Sequence, residues 1–238
     1  MAAGKGTRMK SDLPKVMHEI AGEPLLTHVL RTASELNPVR VVVILGHGRE
    51  RVSQIIDNED INIVVQDPPL GTGHAVMQAE AALTGFNGDV VILSGDVPLL
   101  TAASLKRLTD YHRSKQAAIT VASTKAPDPT GYGRIVRDVE GIFLRIVEHK
   151  DATAAELEIN EINSGIYCVR CRALFSALHR TTNDNAKGEY YLTDVISILR
   201  EDGKRVEAVE IADFTEVQGI NTQAELRAAE AVFLARSK

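Results

Sequence analysis

Short apolar runs rich in β-branched residues alternate with longer amphipathic stretches through the first half of the chain. Runs that are apolar at almost every position are typical of strands covered on both faces of a sheet. They predict strands at 39–45, 61–66, 89–94 and 117–123. Apolar residues at helical spacing predict a helix after Pro24 and further helices at 54–57, 72–83 and 101–115. Because strand and helix alternate regularly, we expect right-handed crossovers and a mostly parallel sheet.

The pattern changes after Lys125, where turn-forming residues occupy 127–133. An alternating stretch at 134–148 predicts a β-hairpin that turns near Glu140 and Gly141. The remaining elements are predicted to be strands at 162–169 and 216–221 and helices at 171–179, 190–201 and 222–237. The chain is therefore expected to form one α/β domain, with a Rossmann-like, mostly parallel sheet flanked by helices and a β-rich insertion.

Composition narrows the class of protein. The 238 residues are 44% hydrophobic and 25% charged, which is the balance of a globular protein. A net charge of −5 and an aromatic content of 4% without Trp argue against nucleic-acid binding, which favours basic surfaces and aromatic stacking. No apolar run approaches the length of a membrane span, about 18 residues, and the N-terminus lacks the apolar segment of a signal peptide. We therefore expect a cytoplasmic protein with neither nucleic acid nor membrane as a partner.

A glycine-rich turn with several cations opens the chain. Gly4-Lys5-Gly6-Thr7-Arg8 follows Met1-Ala2-Ala3, which looks like the end of a strand, and Pro14-Lys15 adds a further cation. Glycines let backbone N–H groups approach a phosphate closely, and Lys or Arg neutralises its charge. A phosphate-binding turn is one interpretation, and a strand-to-helix turn with solvated Lys and Arg is the other. The spacing matches neither a P-loop nor a dinucleotide fingerprint, since Met9 occupies the place of the third glycine.

Three other groups of residues could bind a ligand. Asp96 follows an apolar strand, at the edge where parallel sheets bind ligands, and is either a Mg²⁺ ligand or a helix cap. Gln66 and the Gly71-Thr72-Gly73 turn either bind the edge of a base or only form a turn, with Thr72 as a helix N-cap. A last group has carboxylate, amide and hydroxyl groups suited to a sugar: Gly133, Glu148, Asn163, Tyr191 and Thr193. Nothing in the sequence alone shows that this last group meets in space.

The two cysteines, Cys168 and Cys171, form a CxxC motif. A zinc site of this type would need a second ligand pair, and none is present at suitable spacing. If Cys168 lies on a strand, the i, i+3 separation directs the two sulfurs to opposite faces. A structural role is therefore favoured, and the two cysteines are too few for a disulfide framework.

Several motifs, taken in order along nearly the whole chain, identify a family. They are AAGKGTRM at 2–9, LPK at 13–15, Gln66 with LGTGHA at 70–75, GDVPL at 95–99, DPTGYGRI at 128–135, VEHKD at 147–151, EINSG at 161–165 and GEYYLTD at 188–194. Each alone is weakly specific. Together they resemble the uridyltransferase half of the bifunctional N-acetylglucosamine-1-phosphate uridyltransferase/glucosamine-1-phosphate acetyltransferase family. The resemblance implies a nucleotide-diphospho-sugar transferase fold in which the β-rich insertion binds the sugar.

The resemblance also implies a reaction. UTP and N-acetylglucosamine 1-phosphate, the two expected partners, would give UDP-N-acetylglucosamine and pyrophosphate, with Mg²⁺ as cofactor and no covalent intermediate. Arg8 and Lys15 would be the catalytic cations that hold the phosphates, and Asp96 and Asn221 would bind the metal. The other substrate-binding residues would be Ala2, Ala3, Gly4, Gln66, Gly71 and Thr72 for the nucleotide, Gly133, Glu148, Asn163 and Thr193 for the sugar, and Ser94 and Gly95 in the same site.

The sequence departs from the family pattern in several respects. The chain begins at Met1 where the family has a buried apolar strand, so unpaired backbone is expected in the centre of the sheet. Ser94 stands where many members have Tyr. The acetyltransferase half, a left-handed β-helix that trimerises, is absent. Residues 1–238 are therefore expected to be one nucleotidyltransferase domain, a monomer as given, whose last helix would lead into that β-helix.

Two other functions remain open. One is nucleotidyl transfer with another sugar or another base, and the other is weakly catalytic binding of a sugar nucleotide. A dinucleotide-binding dehydrogenase is disfavoured, because no third glycine follows Gly4 and Gly6 and no strand-end acid follows about 20 residues later.

Overall fold

The computed structural model describes residues 1–4, 6–56, 58 and 60–236. Its strands are β1 (Glu19–Ile20), β2 (Glu23–Pro24), β3 (Val41–Leu45), β4 (Ile61–Val65), β5 (Asp89–Ile92), β6 (Ile119–Lys125), β7 (Arg134–Arg137), β8 (Phe143–Val147), β9 (Glu161–Arg170) and β10 (Val206–Glu210). Its α-helices are α1 (Leu25–Ser34), α2 (Arg49–Val52), α3 (Thr72–Met77), α4 (Ala102–Ser114), α5 (Ala154–Leu157), α6 (Cys171–Leu178), α7 (Asp194–Glu201), α8 (Phe214–Val217) and α9 (Gln223–Arg236). Short 3-10 helices lie at Thr7–Met9, Lys15–Met17, Ser53–Ile55 and Ala81–Leu83. None of the helices in these described ranges has the length and apolar character needed to cross a bilayer.

The apolar runs form strands close to where the sequence predicts them. Strands β3, β4, β5 and β6 each lie within two residues of their predicted bounds, and 134–148 forms the hairpin of β7 and β8. The helix predicted at 72–83 is divided into α3 and the 3-10 turn Ala81–Leu83. The helix predicted at 54–57 lies earlier, as α2 and the 3-10 turn Ser53–Ile55, and Asp57 is outside the described residues.

The central sheet is organised around β9. This strand pairs antiparallel with β5 and β6, and it also pairs with β7 at Arg134 and Ile162. Strand β10 runs parallel to β6, and β8 lies beside β7. Strands β3 and β4 form a separate parallel pair. The predicted α/β class with its β-rich insertion is confirmed. The sheet is mixed, however, because the insertion between β6 and β9 reverses the direction of the chain.

The first residues lie between β3 and β5. The Met1 ammonium donates to Leu93 O (2.7 Å), and Gly95 N donates to Met1 O (2.8 Å). On the other side Ala2 N donates to Ile44 O (2.8 Å), and Ala2 is bridged in parallel to Leu45. Met1-Ala2-Ala3 is therefore strand-like, as predicted.

Behind Met1, a cavity of about 710 Å³ separates β3 from β5. Its lining is mainly apolar and includes Val29, Val43, Val76 and Val91. Strands β3 and β5 belong to different sheets in the described part of the chain.

The C-terminal region differs from its prediction. The strand expected at 216–221 is instead helix α8 and a loop, because Asp213 Oδ1 accepts a hydrogen bond from Thr215 N (2.9 Å) and caps a helical turn. Strand β10 was not predicted, since its apolar residues are few and interspersed with glutamates, and Val209 alone among the five is buried. Helix α7 begins at Asp194 rather than near Tyr190, whose carbonyl accepts a hydrogen bond from Gly73 N (2.8 Å). Helix α9 ends at Arg236, and position 237 is outside the described residues.

The two cysteines lie in different parts of the core. Cys168, on β9, packs in an apolar cluster with Leu105 and Leu108 of α4. Cys171, the first residue of α6, belongs to another cluster that contains Leu174. Both thiols are free and buried. The predicted separation of the two sulfurs is confirmed, and packing accounts for each of them separately.

Candidate functional site

The predicted site residues lie where the carboxyl ends of β3, β4 and β5 meet the first turn of the chain. Ala2 is buried beside Leu45, while Gly4 is exposed. Gly46 lets this segment approach, because a Cβ there would lie 2.7 Å from Ala3 O. At Gly6 the backbone is left-handed (φ +62°), and a Cβ would lie 2.6 Å from the Lys15 Cβ. Lys5 falls outside the described residues.

Lys15, Asp96 and Asn221 form a cation-centred cluster. Lys15 Nζ donates to Asp96 Oδ2 in a short ion pair and to Asn221 Oδ1 at 3.1 Å. Both charged side chains are largely buried. Ile220 N donates to Asp96 O (2.9 Å), which holds the 219–221 loop against the end of β5. The predicted phosphate-binding lysine and the two predicted metal ligands are thus in direct contact.

Arg8 lies apart from this cluster. It is an exposed residue of the 3-10 turn Thr7–Met9, which is anchored by the buried side chain of Met9. Arg8 acts electrostatically on the hydroxyl of Tyr132. Burial raises the pKa of Tyr132, the charge of Asp96 raises it further, and the charge of Arg8 lowers it. Arg8 and Asp96 therefore act on the same region, although the structure joins them only electrostatically.

Gln66, Gly71 and Thr72 form a second group at the end of β4. Gln66 Nε2 donates to Gly71 O (2.8 Å). Gly71 has φ +112°, and a Cβ there would lie 2.5 Å from Tyr190 O, so only glycine fits. Thr72 is not the N-cap of α3, because Gly71 occupies that position, and Thr72 Oγ1 instead accepts a hydrogen bond from Leu192 N (3.0 Å). The capping interpretation of Thr72 is therefore wrong.

Gly133, Glu148, Asn163 and Thr193 form a third group around β9. Asn163 N donates to Gly133 O (2.9 Å), and Asn163 Nδ2 donates to the hydroxyl of Tyr167 (2.7 Å). Thr193 Oγ1 donates to Glu148 Oε1 (3.2 Å). Burial raises the pKa of the Tyr167 hydroxyl, and Glu148 raises it further, which places Glu148 near this pair. The sequence could not establish this convergence, and the fold provides it.

The three groups are linked to one another. A Cβ on Gly165 would lie 3.5 Å from Ser94 Oγ, and Gly165 N donates to Asn163 Oδ1 (2.9 Å). Ser94 and Gly95 thus connect the Asp96 cluster with the third group. On the other side, the bond between Leu192 and Thr72 connects the second group with Thr193. Hydrogen bonds and close contacts therefore connect the three groups, whereas Arg8 remains outside them.

Comparison with known proteins identifies the family. The profile of the MobA-like NTP transferase domain matches residues 1–197. The chain belongs to this family.

Two of the relatives of this MobA-like NTP transferase domain are each named "Bifunctional protein GlmU". The protein of Enterococcus faecalis is 48% identical over 232 residues, which cover 98% of this chain and 50% of the relative. That of Syntrophomonas wolfei is 48% identical over 237 residues, which cover 99% of this chain and 52% of the relative. The chain spans about half the length of the curated relatives it matches.

A solved structure has the same fold. It is titled as UDP-glucose pyrophosphorylase complexed with UDP-glucose, and it aligns with a TM-score of 0.75 and 20% sequence identity. The alignment covers 99% of this chain and 97% of that one. At this identity the likeness supports the fold of the MobA-like domain.

Sequence reasoning missed two residues of the domain's third group. The hydroxyl of Tyr167 accepts a hydrogen bond from Asn163 Nδ2. The charge of Asp151 acts on Tyr191 and Asp194 and raises the pKa of each. The two-residue alternation of β9 would have found Tyr167, since it shares a face with Asn163. Asp151 lies in a turn whose position depends on contacts distant in sequence, such as its bond from Ala186 N (3.0 Å). No local signal indicates it.

Carboxylates crowd this part of the domain. Burial raises the pKa of Glu148, while Lys187 and the hydroxyl of Thr193 lower it in part. Burial also raises the pKa of Asp194 to about 6, and the charges of Glu148 and Asp151 add to the effect. Ionisation of Asp194 therefore adds a further negative charge beside other carboxylates.

This crowding predicts a gain in stability from Asp194→Asn. An acid whose folded pKa exceeds its unfolded value loses stability as pH rises, here from about 4 to about 6. We expect Asp194→Asn to melt at a higher temperature than the parent chain at pH 7.5 and at the same temperature below pH 4. Asp110→Asn, at an exposed site on α4, is the matched control and should change neither value. A stabilisation independent of pH would contradict this explanation.

Proposed function

We propose that this domain transfers UMP from UTP to N-acetylglucosamine 1-phosphate, giving UDP-N-acetylglucosamine and pyrophosphate. The observation that carries the proposal is the convergence of Asp96 and Asn221 on the ammonium of Lys15, beside the first turn of the chain. The relatives named "Bifunctional protein GlmU" and the ordered motifs support the same assignment. The proposal extends to a monomeric domain acting in the cytoplasm, with these two substrates as its partners.

A divalent cation fits the donor set. The carboxylate of Asp96 and the amide oxygen of Asn221 both contact the ammonium of Lys15. Oxygens of this kind are the ligands that Mg²⁺ prefers, and phosphate oxygens and water complete its coordination shell. Asp96 and Asn221 would hold the ion. When bound, it would supply charge neutralisation between the two negatively charged substrates.

The chemistry requires positioning and charge stabilisation. An oxygen of the sugar phosphate attacks the α-phosphorus of UTP in line, and the bond to the β-phosphate oxygen breaks as pyrophosphate leaves. No protein nucleophile takes part. Lys15 and Arg8 would neutralise the departing pyrophosphate, because Arg8 extends from the glycine-rich turn and Lys15 packs against that turn at Gly6. Holding the two substrates in line is itself a large part of the rate acceleration.

The three residue groups divide the substrates between them. Ala2, Ala3 and Gly4 would contact the nucleotide through their backbone, and Gln66, Gly71 and Thr72 would bind the uracil and ribose. Glu148, Asn163 and Thr193 offer an acceptor, an amide and a hydroxyl suited to the hydroxyls of a sugar. Gly133 brings its carbonyl to the backbone of Asn163 and so shapes this wall.

The direct test is release of pyrophosphate. The full chain is supplied with Mg²⁺ and each pairing of UTP, CTP or GTP with N-acetylglucosamine 1-phosphate or glucose 1-phosphate. We expect release with UTP and the N-acetylated sugar, and loss of that release in Asp96→Ala. Release with another pair would indicate a related nucleotidyltransferase. A folded chain that binds UDP-N-acetylglucosamine without releasing pyrophosphate would indicate a binding module.

A second prediction concerns competition between Lys15 and the metal. Because the Lys15 ammonium occupies the oxygens of Asp96 and Asn221, we expect Lys15→Ala to bind Mn²⁺ more tightly than the parent chain without nucleotide, as measured by electron paramagnetic resonance. The same variant should lower kcat/KM at least tenfold, or about 1.4 kcal/mol of barrier. Lys10→Ala, which removes an exposed cation at the end of the 3-10 turn Thr7–Met9, is the control and should change neither quantity. Unchanged Mn²⁺ affinity in Lys15→Ala would exclude the competition, and unchanged kinetics would remove Lys15 from catalysis.

A further inference from the structure

Three side chains of metal-binding type meet at the opposite end of β5 from Asp96. Asp89 is the first residue of β5, His112 lies on α4, and Cys168 lies on β9. One ligand atom of each lies within 4.8 Å of those of the other two. Asp89 and Cys168 are brought together by the antiparallel register of β5 and β9, in which Asp89 lies opposite Arg170. Sequence spacing gave no sign of this group, because its members are separated by more than 20 residues each.

His112 is oriented for binding at one of its nitrogens. Its side chain is almost fully buried, and Nδ1 lies 3.0 Å from Thr120 Oγ1. When Nδ1–H donates to that hydroxyl, the lone pair is on Nε2, which is the pattern of metal-binding histidines. Nε2 is buried without a hydrogen bond of normal geometry, and Asp89 Oδ1 lies 3.5 Å from it. A buried nitrogen in this situation needs a partner.

Asp89 divides its two oxygens between different neighbours. Oδ1 faces His112, and Oδ2 lies 3.5 Å from Arg113 Nε. The guanidinium therefore leaves Oδ1 available to the cluster. About a quarter of the Asp89 side chain is exposed, and it lines the cavity between β3 and β5 together with Thr109, Asp110 and Arg113. An ion can thus reach the cluster from solvent at this side.

Cys168 is the third member of the cluster and lies on its buried side. Its thiol is fully buried, and burial raises its pKa to about 12, so it is protonated without a metal. Thr120, which contacts His112, lies directly opposite Cys168 in the register of β6 and β9. A thiolate, a carboxylate and a neutral imidazole together carry two negative charges, which a divalent cation would cancel. A site of zero net charge is the kind that an apolar interior tolerates.

We propose that Asp89 Oδ1, His112 Nε2 and Cys168 Sγ bind one Zn²⁺ ion, with water as the fourth ligand. Thiolate and imidazole select Zn²⁺ over Mg²⁺, which takes oxygen ligands. Binding forms a Zn–S bond and releases the thiol proton to solvent. Asp89 Oδ1 and His112 Nε2 lie 3.5 Å apart, and the three ligand atoms all lie within 4.8 Å of one another. Ligand atoms around tetrahedral zinc are roughly 3.3 to 3.8 Å apart, so any longer separation shortens when the ion binds. This site is independent of the proposed nucleotidyl transfer.

Cobalt is the probe, because Co²⁺ takes the place of Zn²⁺ and gives a charge-transfer absorption when a thiolate binds it. The full chain, kept reduced, is titrated with Co²⁺ without nucleotide or sugar phosphate. We expect one thiolate-bound Co²⁺ ion per chain, with a charge-transfer band, about one proton released as the band forms, and loss of the band on adding Zn²⁺. Absence of the band at stoichiometric Co²⁺ would overturn the proposal.

Variants assign the ligands. Cys168→Ser should abolish the band, whereas Cys171→Ser, the matched control from the same CxxC motif, should retain it. Asp96→Asn should also retain it, which separates this site from the cation site proposed for the reaction. Thr120→Val, which removes the hydroxyl behind His112, should weaken Co²⁺ binding by about tenfold or more.

Folding is followed for each metal-free variant by its melting temperature. Where Cys168→Ser does not fold, Asp89→Asn decides the question, because it changes a partly exposed residue and keeps its shape. A folded Asp89→Asn should bind Co²⁺ at least tenfold more weakly than the parent chain. Unchanged affinity, or a band that persists in Cys168→Ser, would overturn the site.

Discussion

Lys15 and Asp96 are 81 residues apart in sequence, and their ion pair joins the first turn of the chain to the end of β5. Asn221, 206 residues from Lys15, is tied to the same ammonium. Three distant segments are thus fixed by one cation at a largely buried position. Removing one partner of such a pair leaves an unpaired buried charge, which typically costs about 3 to 5 kcal/mol. The arrangement of the candidate site depends on this contact, because it sets the positions of the first turns of the chain, the end of β5 and the 219–221 loop relative to one another.

Strand β9 connects the end of β5 with the β7–β8 hairpin on the other side of the site. Its later residues pair with β5 and β6, and its beginning pairs with β7. The left-handed backbone of Gly165 (φ +77°) lies between these regions, next to Ser94 on one side and bonded to Asn163 on the other. The end of β5 and the β7–β8 hairpin are therefore parts of one hydrogen-bonded framework. A loop-based site would not hold its groups with comparable precision.

Local patterns predicted the elements well, and the contacts between them less well. Apolar runs determine where β3 to β6 lie, because burial on both faces leaves little choice of side chain. The turn after Tyr190 and the helical turn capped by Asp213 were misplaced, since single hydrogen bonds outweigh propensity there. The direction of β9 was not expected, because strand periodicity is the same in parallel and antiparallel sheets. The motifs indicated Lys15 and Asp96 as site residues, but the contact between them, and the grouping of Asp89, His112 and Cys168, exist only in three dimensions.

The hydrogen bonds between the 70–73 turn and the 190–192 segment have a thermodynamic consequence. Tyr190 N donates to Leu70 O, Gly73 N donates to Tyr190 O, and Leu192 N donates to Thr72 Oγ1. Under the proposed function, the turn that would contact the nucleotide is hydrogen-bonded to the backbone next to Thr193, which would contact the sugar. Ordering either side would reduce the conformational entropy that remains to be lost on the other. The two substrates would then bind with positive cooperativity, and by linkage each would increase the affinity for the other by the same factor.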